Sequence, residues 1–515
     1  MLWPAGSALS WMRRGGDRDR RVEEKERNRT MEYADLRDWI DRVDKMGELR
    51  TLHGAHWDLE IGAITDVAHH TEVSPAILFD NIAGYPPGKR VLVNVLKSMG
   101  RLSFTLGMPG NLKKMEFVAA MRERIHGHRP LPPVRVDSGP VMEKVCTGKD
   151  VNVFDLPAPK WHELDGGRYV GTGCVVVTRD PDDGWVNLGT YRVMIQNEDT
   201  VGLYISPGKH GRIHREKYFS RGEPLRVAIS LGQDPLLFLG ACMELPFGIS
   251  EYDWVGGWNG RPVEVIETEF SGLPIPARAE VVIEGECRPD VLMNEGPFGE
   301  FTGYYASAVR EEPVVKVRSI FHRRDPILLG YPPTKPPSES SFFFAFYRSA
   351  LLWDELEGAG VPDVRGVWCH PAGASRMLTI VAIRQRYAGH ARQAGLIASQ
   401  GHANAYLGRF TVVVDEDIDI TDLQELTWAI TTRCDPETDL EILRRCWSGP
   451  LDPIIPKERK GFNSRVVLDA CRPYEWMKDF PAVVGLTPAQ KEEVMRKWGA
   501  KIFDRGTPLI ARSNE

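Results

Sequence analysis

From Tyr33 onward, apolar side chains return every three or four residues. Leu36, Trp39, Ile40, Val43 and Met46 share one face, which predicts a helix. A β-branched run at residues 90–96 follows a Gly/Pro turn at 84–88 and reads as a strand. A second helix is predicted from about 112 to 125, and the proline-rich stretch 130–133 closes a first α/β segment. Between about 135 and 325 strands dominate. The runs at 173–178, 225–231, 262–267, 279–284 and 314–320 are β-branched and bounded by Gly, Pro or Asp. Short strands without long helices between them predict an antiparallel barrel or sandwich. Beyond Pro332-Pro333 the pattern alternates again, with a helix at 342–357, strands at 366–369 and 378–384, a helix at 390–399 and a buried strand at 410–414. A helix after Asp422 carries Leu423, Leu426 and Ile430 on one face. Such alternation predicts a further α/β domain.

A length of 515 residues agrees with about three domains of roughly 150 residues each. The expected division is an extension at 1–30, an α/β domain at 31–130, a barrel at 131–330, an α/β domain at 331–485 and a tail at 486–515 with a helix at 489–498. The charge run at 13–29 predicts disorder, and Met31 is the expected natural start. A net charge of −6 without a basic stripe argues against a nucleic-acid partner. No apolar run reaches the roughly 18 residues that span a bilayer. Eight cysteines without a C-x-x-C pair read as reduced thiols, which predicts a cytoplasmic protein. The 49 Gly and 37 Pro imply many loops, where sites tend to sit, and they are dense at Pro207-Gly208, Gly256-Gly257 and Gly296-Pro297.

Four patches carry candidate chemistry. In Asn294-Glu295-Gly296-Pro297-Phe298-Gly299-Glu300 two carboxylates bracket a turn that can aim both into one pocket, where repulsion raises one pKa towards neutrality. Two solvated glutamates on a surface turn are the alternative. Trp185-Val-Asn187-Leu-Gly189-Thr-Tyr-Arg192 sets Asn187 and Arg192 in a strand-like run, where an arginine can grip a carboxylate with two prongs or make a structural ion pair. Ser206-Pro207-Gly208-Lys209-His210-Gly211 reads as an anion-approaching loop, and its glycines argue against one helix carrying both His210 and His214. Ile249-Ser-Glu251 places an acid, solvated in the plain case, ahead of a Gly pair and a strand. Together Asn187, His210 and Glu251 offer one nitrogen and two oxygen donors, a set suited to octahedral Mg or Mn.

In this order the patches resemble the UbiD-like family of prenylated-FMN-dependent (de)carboxylases. The resemblance runs from Met31 to about Pro473. It includes Asp35-Leu-Arg37, Gly47-Glu-Leu49, Val414-Asp-Glu-Asp-Ile-Asp419, Trp428-Ala-Ile-Thr-Thr-Arg433-Cys-Asp-Pro436 and Leu468-Asp469-Ala-Cys-Arg-Pro473. It implies an α/β (α+β multidomain) fold with an N-terminal α/β domain, a central split β-barrel similar to flavin reductases, and a C-terminal α/β oligomerisation domain of a homodimer or homohexamer. The implied activity is reversible non-oxidative decarboxylation of an aromatic, heteroaromatic or α,β-unsaturated carboxylic acid, with the flavin as electron sink. A flavin prenyltransferase is the implied cofactor supplier.

Residue by residue, the resemblance makes Asn187, His210 and Glu251 ligands of a divalent Mn or Mg that clamps the flavin phosphate. Trp185, through its carbonyl, and Met243 fall at a potassium site. Thr190, Tyr191, Arg192, Lys209, His210 and Arg409 are implied cofactor contacts, Arg409 standing where the family carries a lysine. Arg192, Glu295 and Glu300 match the catalytic trio, with Arg192 and Glu295 positioning the substrate and Glu300 donating the proton. The charge of Glu244 has no evident partner in the sequence. Pocket candidates are Ile205, Phe301 and the run at 341–346, whose alternative is a core helix. Two other functions fit parts of the pattern: an FMN-dependent oxidoreductase on a split barrel, and a partner-requiring subunit of a carboxylase complex.

Overall fold

The computed structural model describes residues 33–459 and 461–502, so the expected extension at 1–30 and the start at Met31 lie outside the described residues. The chain folds as two compact units. One runs to Gly110 and includes Glu123–Phe343 and Pro450–Ile454; the other holds Asn111–Arg122, Phe344–Gly449 and the chain from Ile455.

The first unit opens on the helix Leu36–Lys45, which buries Leu36, Trp39, Ile40 and Val43. The Asp35 side chain accepts a hydrogen bond from Asp38 N and so caps the helix. A four-stranded sheet follows, ordered Leu49–His53, Ala76–Asp80, Arg90–Val93 and Ile327–Gly330. Its last strand returns from far along the chain.

The centre of this unit is one curled half-barrel sheet. Its main path uses β1 (Tyr169–Gly171), β2 (Cys174–Arg179), β3 (Val186–Gly189), β4 (Arg192–Asn197) and β5 (Thr200–Tyr204). Helix α1 (His210–Ser220), β6 (Leu225–Leu231), α2 (Pro235–Cys242) and α3 (Glu251–Asn259) come next, then β7 (Val281–Glu295) and β8 (Arg310–His322). The spatial order is β1-β4-β5-β8-β7-β6-β2-β3, with the short strand Lys144–Thr147 added against β8. β7 and β8 are long and pair with register shifts at Glu284/Gly285 and Cys287/Leu292. Bulges of this kind bend and twist a strand pair, which lets the sheet curl. The inner face is an apolar core that includes Val176, Val193, Leu203, Ile229, Ile283 and Val315. Burial on both faces explains why β2, β5 and β6 read as near-continuous apolar runs.

Two expectations are corrected here. His210 and His214 lie on one continuous helix, α1, because the glycines Gly208 and Gly211 stand at its start and not inside its body. The pair Gly256-Gly257 is not loop punctuation. It sits inside α3 against backbone, where an added Cβ would come within 2.3 Å of Leu131 O and 2.0 Å of Arg129 O.

The second unit carries a mixed five-stranded sheet, ordered Val364–Cys369, Leu378–Ile383, Phe410–Asp415, Phe462–Asp469 and Leu440–Trp447. The helix His390–Gln400 covers a core with Val381, Val413, Ala394 and Ala398. The motif residues of this unit tie the end of the Phe410–Asp415 strand. Arg433 donates to Asp417 at 2.8 Å, and Arg472 donates to Asp415 at 3.0 Å. In the helix Leu423–Arg433 the buried residues are Leu426, Ala429 and Arg433, whereas the expected Leu423 is exposed. The tail helix spans Pro488–Ile502. Among the described residues no helix is long and apolar enough to cross a membrane, and all eight cysteines are free.

Candidate active site

The turn between β3 and β4 separates two buried corners. At one, Arg192 opens β4 opposite Tyr204 of β5. Its Nε donates to Glu295 Oε1 at 2.7 Å and its Nη2 to Glu295 Oε2 at 2.8 Å, the two-pronged grip foreseen from the sequence. The remaining arm, Nη1, donates to Glu300 Oε1 at 2.6 Å. Glu295 ends β7, and Glu300 follows after the Gly-Pro-Phe-Gly segment, so the chain doubles back and both carboxylates meet one guanidinium. Gly296 has φ 84°, a backbone conformation open to glycine.

All three side chains are buried. Burial opposes the charge on Arg192, yet Glu300 and Glu295 hold its pKa above the ordinary value. Burial pushes the Glu300 carboxyl up to about 7; Arg192 opposes that rise, Glu295 adds to it and Arg310 again opposes it. Desolvation therefore leads and carboxylate repulsion is secondary, the reverse of the weighting expected from the sequence.

Several supporting residues were not anticipated. Tyr169 OH donates to Glu295 Oε1 at 3.2 Å, and its ring packs on Phe298 at 4.2 Å. Arg192 sits over the Tyr204 ring at 4.2 Å. Asp165 accepts from Gly299 N at 3.1 Å and from His162 N at 3.0 Å, and Gly166 N donates to Pro297 O, clamping the glutamate loop. The His162-Glu-Leu-Asp165-Gly-Gly turn was a visible Asp/Gly signal; its partner 134 residues away was not.

The second corner gathers Asn187 of β3, the start of α1 and the start of α3. Asn187 Nδ2 and Gly211 N both donate to Tyr191 OH, at 3.4 and 3.1 Å. Glu251 is neither solvated nor ahead of a strand: it is the first residue of α3, is 2 % exposed, and accepts from Leu188 N at 2.6 Å. Burial pushes its carboxyl up to about 8, and no basic side chain is among the causes that offset this. His210 leads α1 with its ring 5.0 Å from that of Trp185, and burial lowers its pKa. Lys209 caps α1 without a side-chain hydrogen bond to it and pairs with Glu244 at 3.2 Å, which accounts for the Glu244 charge. Thr190 N donates to Ala241 O, and Met243 is the buried residue that caps the C-terminus of α2. Arg409 belongs to the other unit, just before the Phe410–Asp415 strand.

Among the described residues no group of three or more His, Cys, Asp or Glu is arranged to hold a metal ion. The expected set contains only two residues of those types. What fits a cation is the buried carboxylate of Glu251, whose burial no basic side chain among the described residues offsets. What fits a phosphate is the N-terminus of the eleven-residue α1, with Lys209 beside it. Of the pocket candidates, Ile205 is enclosed in the core, as are Phe343 and Phe346. Phe346 packs edge-on against Phe117 at 5.0 Å and Trp368 at 5.1 Å. Phe301 is half-buried.

The fold that holds this row is shared with known carboxy-lyases. Family models for 3-octaprenyl-4-hydroxybenzoate carboxy-lyase match the chain in three stretches: the N-terminal domain over residues 40–121, the Rift-related domain over 133–336 and the C-terminal domain over 341–470. The chain belongs to the UbiD family and is a carboxy-lyase of that family. It is 32 % identical over 458 residues to the pyrrole-2-carboxylic acid decarboxylase of Pseudomonas aeruginosa, covering 86 % of this chain and 92 % of that one. It is 32 % identical over 488 residues to the phenolic acid decarboxylase of Bacillus subtilis, covering 92 % and 99 %. The UbiD-class enzyme HmfF from Pelotomaculum thermopropionicum, solved with FMN, superposes with a TM-score of 0.79 at 27 % identity, covering 89 % of this chain and 98 % of that one. An evolved dimeric form of HmfF, solved with prFMN, gives 0.76 at 26 % identity, covering 89 % and 98 %.

Proposed function

We propose that this chain reversibly decarboxylates an aromatic, heteroaromatic or α,β-unsaturated carboxylic acid, with prenylated FMN as cofactor. The observation that carries the reading is the buried row Glu295–Arg192–Glu300, in which one guanidinium holds two carboxylates and burial pushes the Glu300 carboxyl up to about 7. When bound, the prenylated flavin supplies the electron sink that takes up the electron pair left as carbon dioxide departs. Every other role falls to the chain. Arg192, fixed by Glu295 and by the face of Tyr204, presents its Nη1 side to a substrate carboxylate. Glu300 shares that arm and holds a proton near neutral pH, so it can deliver the proton that replaces the carboxyl group. Phe298 and Tyr169 keep water from the row.

At the other corner, Asn187, His210 and Glu251 would hold the divalent Mn or Mg, and Lys209 with the α1 N-terminus would receive the flavin phosphate. Thr190 and Tyr191 complete the proposed cofactor contacts of this unit. Trp185 and Met243 are assigned to a potassium site, and a flavin prenyltransferase supplies the cofactor to a homodimer or homohexamer. Coexpression with a flavin prenyltransferase, followed by carbon dioxide release from a panel of aromatic and unsaturated acids, tests the proposal. No release from fully loaded protein overturns it. Flavin reduction by a nicotinamide without any release would favour an oxidoreductase instead.

A further inference from the structure

We propose that Arg310 is a positioning residue: a second guanidinium that shares Glu295 with Arg192 and holds the Glu295–Arg192–Glu300 row in place while Arg192 engages a substrate carboxylate. The last clause rests on the decarboxylase reading; the shared carboxylate does not.

Arg310 opens β8 directly across from Glu295, its register partner at the end of β7. The oxygen that receives Arg192 Nη2 at 2.8 Å, Glu295 Oε2, lies 3.8 Å from Arg310 Nε. One carboxylate oxygen thus stands between two guanidinium groups, close to one and one step away from the other. Both cations also meet at Tyr204. The Arg192 and Arg310 guanidinium carbons lie 4.2 and 4.1 Å from the centre of its ring. The one aromatic ring thus serves both cations. Arg310 Nη1 donates to Tyr204 OH at 3.3 Å, which fixes the ring edge.

The other arms of Arg310 are unspent. Its Nε and Nη2 are enclosed and have no hydrogen-bond partner among the described residues. An enclosed guanidinium N–H without an acceptor is unfavourable, and Glu295 Oε2 is an acceptor beside it. When Arg192 turns an arm towards a substrate, closing the gap from 3.8 Å lets Arg310 satisfy Glu295 and keeps that carboxylate from following Arg192. Without Arg310, Glu295 would either move with Arg192 or be left short of a cation in a buried site.

The charged groups around the row are few. Arg192 comes from β4, Glu295 from β7, and Arg310 and Glu312 from β8, while Asp165 and His162 come from the clamping turn; Tyr169 and Tyr204 add hydroxyls. Arg310 is the second cation in this set and bears on Glu300 as well as on Glu295. Its removal therefore shifts a proton equilibrium that a purely structural residue would leave alone.

The test uses Arg310→Met and Arg310→Lys in the full-length protein, with two readouts. The first needs neither cofactor nor substrate: protein labelled with 13C at the Glu carboxyl carbon is titrated, and the Glu300 signal is identified by its loss in Glu300→Gln. Arg310→Met should move the Glu300 midpoint up by about half a pH unit, and Arg310→Lys should restore it. The second is steady-state decarboxylation by the loaded enzyme, where Arg310→Met should lower kcat about tenfold with little change in KM, and lysine should recover most of the loss. Equal Glu300 midpoints in wild type and Arg310→Met overturn the proposal, as does a loss that lysine cannot rescue. Should Arg310→Met fail to fold, Arg310→Lys against wild type in the same titration decides it, since a displaced midpoint with retained charge contradicts the assignment. Absence of turnover in the wild type would count against the decarboxylase reading and leave the titration readout intact.

Discussion

The two corners flanking the β3–β4 turn bury acids in the same unit and treat them in opposite ways. At Arg192 the chain provides the cation itself, so Glu295 and Glu300 are buried with three short charge-assisted hydrogen bonds. At Glu251 backbone N–H groups, that of Leu188 among them, meet the carboxylate, no basic side chain is among the causes that offset burial, and burial pushes the carboxyl up to about 8. Desolvation leads in both places. What differs is that a basic side chain of the chain offsets burial at Glu300, and among the described residues none is a cause at Glu251. A corner complete in itself suits proton and substrate handling, whereas a corner short of positive charge suits the capture of a cation from solution.

Substitutions can break this contrast. The largest effect is expected for Glu300→Gln, which should lower turnover by about a thousandfold while flavin content stays at the wild-type level. Wild-type turnover in that variant would remove Glu300 from the mechanism. Arg192→Met strips the cation from two buried carboxylates and should cost on the order of 3–5 kcal/mol near pH 7 by urea unfolding. A cost within experimental error would mean that the row is solvated in the protein.

The pH dependence sharpens the same point. Glu300 in the folded protein, at about 7, lies above the ordinary 4.5. Between those values the folded state keeps a proton that the unfolded state has lost. The Glu300 contribution to stability is therefore full below about pH 4.5 and declines as pH rises through 7, by up to about 3 kcal/mol. Glu300→Gln should flatten that part of the stability curve, and identical slopes in the two proteins would contradict the shift. Turnover should fall as pH rises through about 7, where the folded acid loses its proton.

Smaller effects separate the corners further. Glu251→Gln and His210→Ala should each reduce flavin retention and abolish the rise in thermal midpoint expected of wild type on adding Mn, whereas Glu300→Gln should keep both. Full flavin occupancy without His210 would sink the metal-clamp assignment. Asp165→Asn should loosen the grip on Gly299 and lower kcat about tenfold, leaving flavin content unchanged. An unaltered kcat would show that the loop holds Glu300 without that clamp.

Much of this was legible in one dimension. The helix Leu36–Lys45, the strand Leu225–Leu231 and the helix His390–Gln400 follow directly from apolar spacing, because local periodicity reports which face must be buried. The two glutamates around Gly296-Pro297 and the Arg192 run stood out as candidate chemistry for the same local reason. Other features were misread because they depend on distant neighbours. Gly256 and Gly257 look like loop residues until the backbone of Leu131 and Arg129 is seen against them. The Phe-rich run after Ser341 could line a pocket or a core, and Phe343 and Phe346 lie in the core.

The sequence by itself determined the elements, the family and the acid, base and cation types available for chemistry. Tertiary structure alone decided that Arg192, Glu295 and Glu300 share one buried row, that Glu251 is buried at the start of α3, and that Tyr169, Tyr204, Asp165 and Arg310 stand near the row. The reason is physical. Periodicity is a property of neighbours along the chain. Proton affinity and charge pairing depend on how much water is removed and on which charges, often a hundred residues away, are enclosed with it.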